Sequence, residues 1–256
     1  MLTQLENKPV ALITGASRGI GAEIAKVLSM AGAYTILIGR NEYLLKSNVA
    51  ELRSLGFESE YFVCDVTHYD TLAHFIDKIE KIDILVNNAG TVLVKKFTEY
   101  TEDDFDFLCN INIKSYFFLS QYVAKKMIKD QRVQSGNIIN ISSIMGKRSA
   151  PISTPRPQSL YTVSKHAIEG LTKALSVELA EYNIRVNSIC PTYVITDLTK
   201  QLIENEAIKN FMLSNIPLKR FATVRDVANA VLFLCSPMAN MITGDSLMVD
   251  GGWTAT

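Results

Sequence analysis

Two groups of residues in this sequence carry chemistry by type and spacing. The first is Thr14-Gly-Ala-Ser-Arg-Gly-Ile-Gly21, with glycines at 15, 19 and 21. Such glycines let a backbone turn tightly and approach a ligand with no Cβ in the way. A helix starting behind the turn offers free N–H groups and a partial positive charge, which suits a pyrophosphate. The spacing is GxxxGxG rather than the GxGxxG dinucleotide fingerprint, and three glycines are also compatible with plain turn chemistry. The second group is Tyr161 with Lys165. Four apart on an expected helix, their side chains share one face. A free phenol titrates at about 10, and a neighbouring ammonium favours its ionised form. Tyr161 is therefore expected to be tuned by Lys165 toward giving a proton to a carbonyl oxygen.

The elements that must hold these groups alternate along the whole chain. Strands are expected at Pro9–Thr14, Tyr34–Gly39, Glu60–Cys64, Ile82–Val86, Gly136–Ser142, Ile184–Ile189 and Ser246–Val249, from short β-branched runs. Helical spacing covers Ile20–Ala31, Asn41–Ser54, Tyr69–Glu80, Thr101–Lys129 and Leu160–Tyr182, with two more helical stretches before the last strand. Gly32 suits a helix C-terminus, and Glu102, Asp103 and Asp104 suit a helix N-terminus. Strands alternating with helices of this length imply βαβ units. The expected fold is α/β, a doubly wound parallel sheet of the Rossmann type with helices on both faces, spanning residues 1–256 as a single domain.

Composition narrows the function. The chain has 256 residues, with 26 basic and 26 acidic side chains, so it lacks the basic balance of a nucleic-acid binder. No apolar run approaches the ~18 residues of a membrane span, and the first residues lack a signal-like apolar core. Cys64, Cys109, Cys190 and Cys235 have no CxxC or metal-ligand spacing, so reduced thiols in a cytoplasmic protein are expected. His68, His74 and His166 form no zinc pattern, and no metal is expected. The partner expected is a small molecule, with neither nucleic acid nor membrane.

The motifs, in their order and context, resemble those of the short-chain dehydrogenase/reductase family over essentially the whole chain. Beside Thr14–Gly21 these are Asn87-Asn-Ala-Gly90, Asn112 in the long helix, Ser143 after the fifth strand, Tyr161-Thr-Val-Ser-Lys165, Ile184–Pro191 and Asp250-Gly-Gly-Trp253. The resemblance implies a catalytic set of Asn112, Ser143, Tyr161 and Lys165. Ser143 would hydrogen-bond the substrate oxygen, with Ser142 its rival by position, and Asn112 would hold a water linking Lys165 to solvent. Asn is a poor helix former, a local inconsistency typical of functional sites; an Asn facing solvent is the alternative. The implied cofactor contacts are Gly15, Ser17, Arg18, Gly19, Ile20 and Gly21 in the turn, Asp65 and Val66 at the adenine, and Asn87, Ala89 and Gly90. Pro191 and Thr196 would lie by the nicotinamide, and Tyr161 and Lys165 would also meet the cofactor, Lys165 at the nicotinamide ribose.

The end of the second strand selects the cofactor. NAD-binding folds usually carry Asp or Glu there for the ribose 2′-OH. This chain has Gly39 followed by Arg40, and an arginine can clamp the 2′-phosphate of NADP, helped by Arg18. NADPH is expected rather than NAD. The expected activity is hydride transfer between nicotinamide and a carbonyl or secondary alcohol, such as a 3-oxoacyl thioester. The alternatives are a sugar, polyol or hydroxy-acid dehydrogenase and, in a different class, a non-catalytic cofactor-binding protein, which loss of Tyr161 or Lys165 would have favoured. Two departures stand out: Thr192 replaces the family's usual glycine, and the Ser143–Tyr161 stretch is longer, with Pro151, Pro155 and Pro157. Substrate loops are expected at about 143–160 and 190–220. Within them Lys147, Arg148 and Arg156 would favour an anionic substrate. The resemblance also implies a homotetramer, paired through Thr101–Lys129 and Leu160–Tyr182 and through Met238–Trp253.

Overall fold

In β1 and β2, successive residues are apolar on both sides, and the two sides bury into different layers. The computed structural model describes residues 4–130, 135–149, 157–196, 199–200 and 204–256. Strands β1 (Val10–Thr14), β2 (Tyr34–Gly39), β3 (Ser59–Val63), β4 (Ile84–Asn87), β5 (Gly136–Ile141), β6 (Ile184–Pro191) and β7 (Ser246–Val249) form one parallel sheet in the order β3-β2-β1-β4-β5-β6-β7. Ala11 and Ile13 of β1, Leu37 of β2 and Ile139 and Ile141 of β5 pack into one layer. Leu12, Ile36, Ile38 and Ile138, the residues between them, pack into the other. A period of two with both phases apolar is what a sheet covered on both faces requires.

The first layer is closed by α1 (Gly19–Met30) and α2 (Glu42–Ser54), together with a helix late in the chain, Val224–Cys235. The second is closed by α3 (Tyr69–Lys78), α5 (Ser115–Lys129) and the end of α6 (Ser159–Glu178). Helix α4 (Glu102–Cys109) leads into α5. A shorter α7 (Glu206–Ser214) precedes α8, the Val224–Cys235 helix. Ile144, Met145, Met212, Ile216, Phe221 and Trp253 form a third apolar cluster beyond the ends of β5 and β6. The chain winds one way from β1 to β3 and the other from β4 to β7, so the switch lies between β1 and β4. Ligands of such sheets bind at that switch, outside the carboxyl ends of the strands.

Most element boundaries shift by a residue or two from the sequence expectation, and three differences have a local cause or consequence. The helix expected over Thr101–Lys129 is interrupted by a π turn at Asn110–Lys114, because Asn112 turns its amide into a side-chain network instead of continuing a regular surface. The strand expected from Ile82 starts at Ile84, and just before it the Asp83 carboxylate accepts from the Val10 N–H at 2.8 Å. The helix expected to Tyr182 ends at Glu178, followed by a 3-10 turn, Ala180–Tyr182, and Asn183 at φ 56°; asparagine tolerates that left-handed conformation.

Candidate active site

The turn between β1 and α1 is fastened from two sides. Gly15 (φ 64°) lies so close to the segment after β4 that a Cβ would sit 2.9 Å from the Cα of Ala89. Thr14 Oγ1 accepts from the backbone N–H of Asn88 (2.9 Å) and Ala89 (3.1 Å), and Asn88 Nδ2 donates to the Thr14 carbonyl at 2.8 Å. From the other side Asn48 Nδ2 donates to the carbonyls of Ala16 and Ser17, at 3.1 and 3.0 Å. Helices α2, α4, α7 and α8 are capped by the side chains of Asn41, Thr101, Asn205 and Thr223. Helix α1 has no side-chain cap, and no acid stands in its first turn. Its opening N–H groups and dipole are thus available to an anion. Thr196 closes over this turn, its Cγ2 3.6 Å from where a Cβ on Gly19 would stand. The turn and the loop after β6, far apart in sequence, therefore face each other.

At the rim, Gly39 is buried, and a Cβ there would stand 2.3 Å from Ser17 Oγ. Arg40 is 74% exposed, and its Nη1 lies 3.4 Å from Asp65 Oδ2. Burial alone would push the Asp65 carboxyl up, but hydrogen bonds from Thr67 and the charges of Arg40 and His68 hold it below the ordinary value. Arg18 is exposed, and Val66 is buried beneath the rim. Arg40 and Asp65, expected as separate contacts, thus stand as a loose pair. An exposed pair of this kind is worth at most about 1 kcal/mol, so little holds the guanidinium back from a phosphate. The Asn87 side chain is turned inward. Its Nδ2 donates to Ser120 Oγ and Asn140 Oδ1, both at 2.9 Å, so the amide is committed to the core between β4, β5 and α5. Only its backbone is left for a ligand.

Tyr161 and Lys165 emerge from the same face of α6. Ser143 follows β5 and begins a 3-10 turn, Ile144–Gly146, its Oγ accepting from the Met145 N–H at 3.1 Å. The Ser143 hydroxyl lies near enough to the Tyr161 phenol to lower its proton affinity. Ser142, the rival, lies beside Gly146, where a Cβ would meet its Oγ at 2.8 Å. Lys165 Nζ donates to the Ile141 carbonyl at 2.8 Å and lies 5.7 Å from the Tyr161 ring centre. Burial draws the Lys165 ammonium down to about 8. Burial also pushes the Tyr161 phenol up to about 12, against the hydrogen bond from Ser143, which lowers it. The expected lowering of the phenol by Lys165 is therefore not what this arrangement produces. Tyr161 is partly buried, and the cost of taking the phenolate out of water keeps its proton on at neutral pH.

Asn112 does not face solvent. It is fully buried, with Nδ2 donating to the Thr91 carbonyl (2.9 Å) and Ser164 Oγ (3.1 Å), and Oδ1 accepting from the Thr91 N–H (2.9 Å). It ties the segment after Gly90 to α6 at the residue before Lys165. It also sits in the π turn, a rare irregularity that concentrates at functional sites. Tyr116, which sequence reasoning passed over, donates to the same Ile141 carbonyl as Lys165, at 3.0 Å. Thr14, Asn88 and Asn48 were likewise not singled out. The signal for the first two was adjacency to motif glycines; nothing local marked Asn48.

The cationic loop differs from expectation as well. Lys147 Nζ is 2.7 Å from Glu169 Oε2. Arg148 Nη1 donates to the carbonyls of Trp253 and Thr256, each at 3.1 Å. Neither is a loop charge awaiting an anion. Arg156, Pro151 and Pro155 lie outside the described residues. Pro191 ends β6 in the core, and Thr192 N–H donates to the Val249 carbonyl at 3.2 Å. His74 and His166 bond carbonyls of their own helices. Among the described residues no cluster of His, Cys, Asp or Glu could hold a metal.

Comparison with known proteins places this geometry in context. The profile of a family described as "Enoyl-(Acyl carrier protein) reductase" matches residues 15–254. A tropinone reductase homologue of Arabidopsis thaliana is 36% identical over 247 residues, covering 94% of this chain and 89% of the relative. A 3-oxoacyl-[acyl-carrier-protein] reductase of Rickettsia felis is 39% identical over 241 residues, covering 94% and 95%. Among solved structures, a gluconate 5-dehydrogenase from Burkholderia cenocepacia J2315, in complex with NADP and tartrate, superposes with a TM-score of 0.90. That structure is 32% identical, and the match covers 99% of this chain and 97% of that one.

Proposed function

The chain belongs to the short-chain dehydrogenase/reductase family of oxidoreductases, and we propose that it reduces a carbonyl to a secondary alcohol with NADPH, with Tyr161 as proton donor. The observation that carries this reading is Tyr161 itself, near Ser143 and one helical turn from Lys165, whose Nζ lies 5.7 Å from its ring centre. The residues present fit a dinucleotide phosphate. The uncapped α1 turn, with Gly15, Ser17, Arg18, Gly19, Ile20 and Gly21, would hold the pyrophosphate, and Arg40 the 2′-phosphate. Asp65 and Val66 would flank the adenine, with Ala89, Gly90 and the Asn87 backbone beside them and Pro191 and Thr196 near the nicotinamide. The chemistry NADPH supplies when bound is a hydride for the carbonyl carbon.

Tyr161, whose proton stays on at neutral pH, gives it to the carbonyl oxygen as negative charge develops there. Ser143 offers a hydroxyl to the same oxygen. Lys165 places a positive charge beside the phenolate that results, which is worth most in a site shielded from water. Asn112 and its π turn hold the path by which Lys165 would be resupplied with protons.

A 3-oxoacyl thioester is the first substrate class, supported by the likeness to the Rickettsia reductase. A sugar or hydroxy-acid substrate is the second, supported by the likeness to the gluconate dehydrogenase. The pairing of Lys147 with Glu169 neutralises one of the charges that would have drawn an anion, and Arg148 is turned to backbone carbonyls. Four free thiols, three of them buried, suit a reducing, cytoplasmic setting, and no described helix is long and apolar enough to cross a membrane. Exposed Phe105, Phe107, Phe117, Val163 and Val177 on α4, α5 and α6, with Met238 and Met241 near the chain end, support a homotetramer, since such surface usually meets a partner. The deciding experiment is NADPH oxidation against β-ketoacyl thioesters, sugars, diketones and steroids. Turnover of none of them, with NADPH still binding, would favour a non-catalytic cofactor-binding protein.

A further inference from the structure

Helix α6 carries a third ionisable residue in line with Tyr161 and Lys165. Glu169 stands one more turn along the same face, and it is 5% exposed. Its partners come from three other segments. Lys147, on the turn that follows Ser143, places Nζ 2.7 Å from Oε2. Ser246 of β7 donates to Oε2 at 2.5 Å, and Cys190 of β6 places its Sγ 3.4 Å from Oε1. The turn is pressed directly onto α6 at this point: a Cβ on Gly146 would lie 2.9 Å from Glu169 Cγ and 2.9 Å from the Lys165 carbonyl.

A buried carboxylate is costly unless it is paired and hydrogen-bonded. As a source of stability alone, a buried ion pair is often matched by apolar residues of similar volume. What an apolar pair would not reproduce is a directional tie between the Ser143 turn and the helix of Tyr161, or a fixed charge near Lys165. We propose that the Lys147–Glu169 ion pair is a positioning device, which holds the Ser143 turn in register with the Tyr161 hydroxyl and sets the electrostatic field at Lys165.

The groups facing Lys165 are Tyr161 and Glu169 on its own helix, Tyr116 from α5 and Cys190 from β6. Lys147 faces Glu169 from the turn. Burial draws the Lys165 proton off early, and Cys190 and then Glu169 oppose this. Burial also pushes the Glu169 carboxyl up, but hydrogen bonds from Lys147 and Ser246 outweigh it, so the residue stays ionised. Loss of the Glu169 charge therefore moves the Lys165 titration to lower pH. Loss of the Lys147 charge leaves Glu169 uncompensated and moves it to higher pH.

The pairing rests on the reductase reading only for its kinetic arm, so the test has two arms. In the free protein, the Lys165 side chain is titrated by NMR in wild type, Glu169→Gln, Lys147→Met and Lys147→Arg. The expected midpoint is about 8 in wild type, lower in Glu169→Gln, higher in Lys147→Met and near wild type in Lys147→Arg. In the kinetic arm, kcat falls about ten- to a hundredfold in Glu169→Gln and Lys147→Met, the scale of a misplaced reacting group. NADPH affinity is retained, and Lys147→Arg restores most of the rate. If Glu169→Gln does not fold, the two Lys147 variants decide. An unmoved Lys165 midpoint in Glu169→Gln or Lys147→Met, or wild-type kcat in both, overturns the proposal. A wild type inactive on every carbonyl contradicts the reductase reading alone, and the titration arm still stands.

Discussion

The Lys165 ammonium donates to the Ile141 carbonyl at 2.8 Å, so the cation of α6 is moored to the last residue of β5, two residues before Ser143. Tyr116 donates to that same oxygen. The cation is therefore fixed by the strand that also delivers the serine, with its Nζ 5.7 Å from the Tyr161 ring centre.

That mooring has a pH signature. Burial brings the Lys165 ammonium from its ordinary range down to about 8. A lowered lysine is charged below that value and neutral above it. Activity that needs the cation is present at pH 7 and is lost as pH rises through about 8. The alkaline limb of kcat/KM for carbonyl reduction should fall there. A limb at 10 or above would mean that Lys165 is not the group responsible.

Arg40 should set the preference between cofactors. A hydrogen bond to a charged group contributes about 1.5–3 kcal/mol, so Arg40→Ala should weaken NADPH by about ten- to a hundredfold. NADH binding should barely change. Fluorescence titration with both cofactors checks this, and equal wild-type affinity for the two would refute it.

The glycines separate by what surrounds them. A Cβ on Gly21 would stand 2.5 Å from the Gly15 carbonyl oxygen, whereas a Cβ on Gly170 in α6 would meet nothing within 4 Å. Gly21→Ala should therefore destabilise the fold by about 1–3 kcal/mol through overpacking, seen as a lower Tm, and abolish NADPH binding. Gly170→Ala should raise Tm, since alanine is the better helix former by about 1 kcal/mol.

The first strands were legible because both of their phases are apolar, as Leu12 between Ala11 and Ile13 illustrates. The family motifs located Ser143, Tyr161 and Lys165 because their spacing is local. What escaped the sequence depends on partners far along the chain. Arg148 bonds carbonyls more than a hundred residues away, and Lys147 pairs with Glu169, so neither was recognisable as tethered. The π turn at Asn110–Lys114 escaped because helical periodicity tolerates one extra residue. The phenol shift of Tyr161 escaped because it reflects burial, which spacing does not encode.

Association should depend on the exposed aromatic rings of α4 and α5. Light scattering at micromolar concentration should give the mass of a tetramer. Phe107→Glu together with Phe117→Glu should shift it to a smaller species. A wild-type monomer would contradict the assignment.

The most direct measurement is single-turnover reduction by Tyr161→Phe with NADPH already bound. The substitution keeps the ring and its packing and removes only the hydroxyl that lies near Ser143. Hydride transfer, followed by loss of NADPH absorbance, should slow by the ~10²–10⁴-fold characteristic of a lost general acid, with cofactor affinity unchanged. A variant that reduces the carbonyl at close to the wild-type rate would show that the proton comes from elsewhere and that the account of this site is wrong.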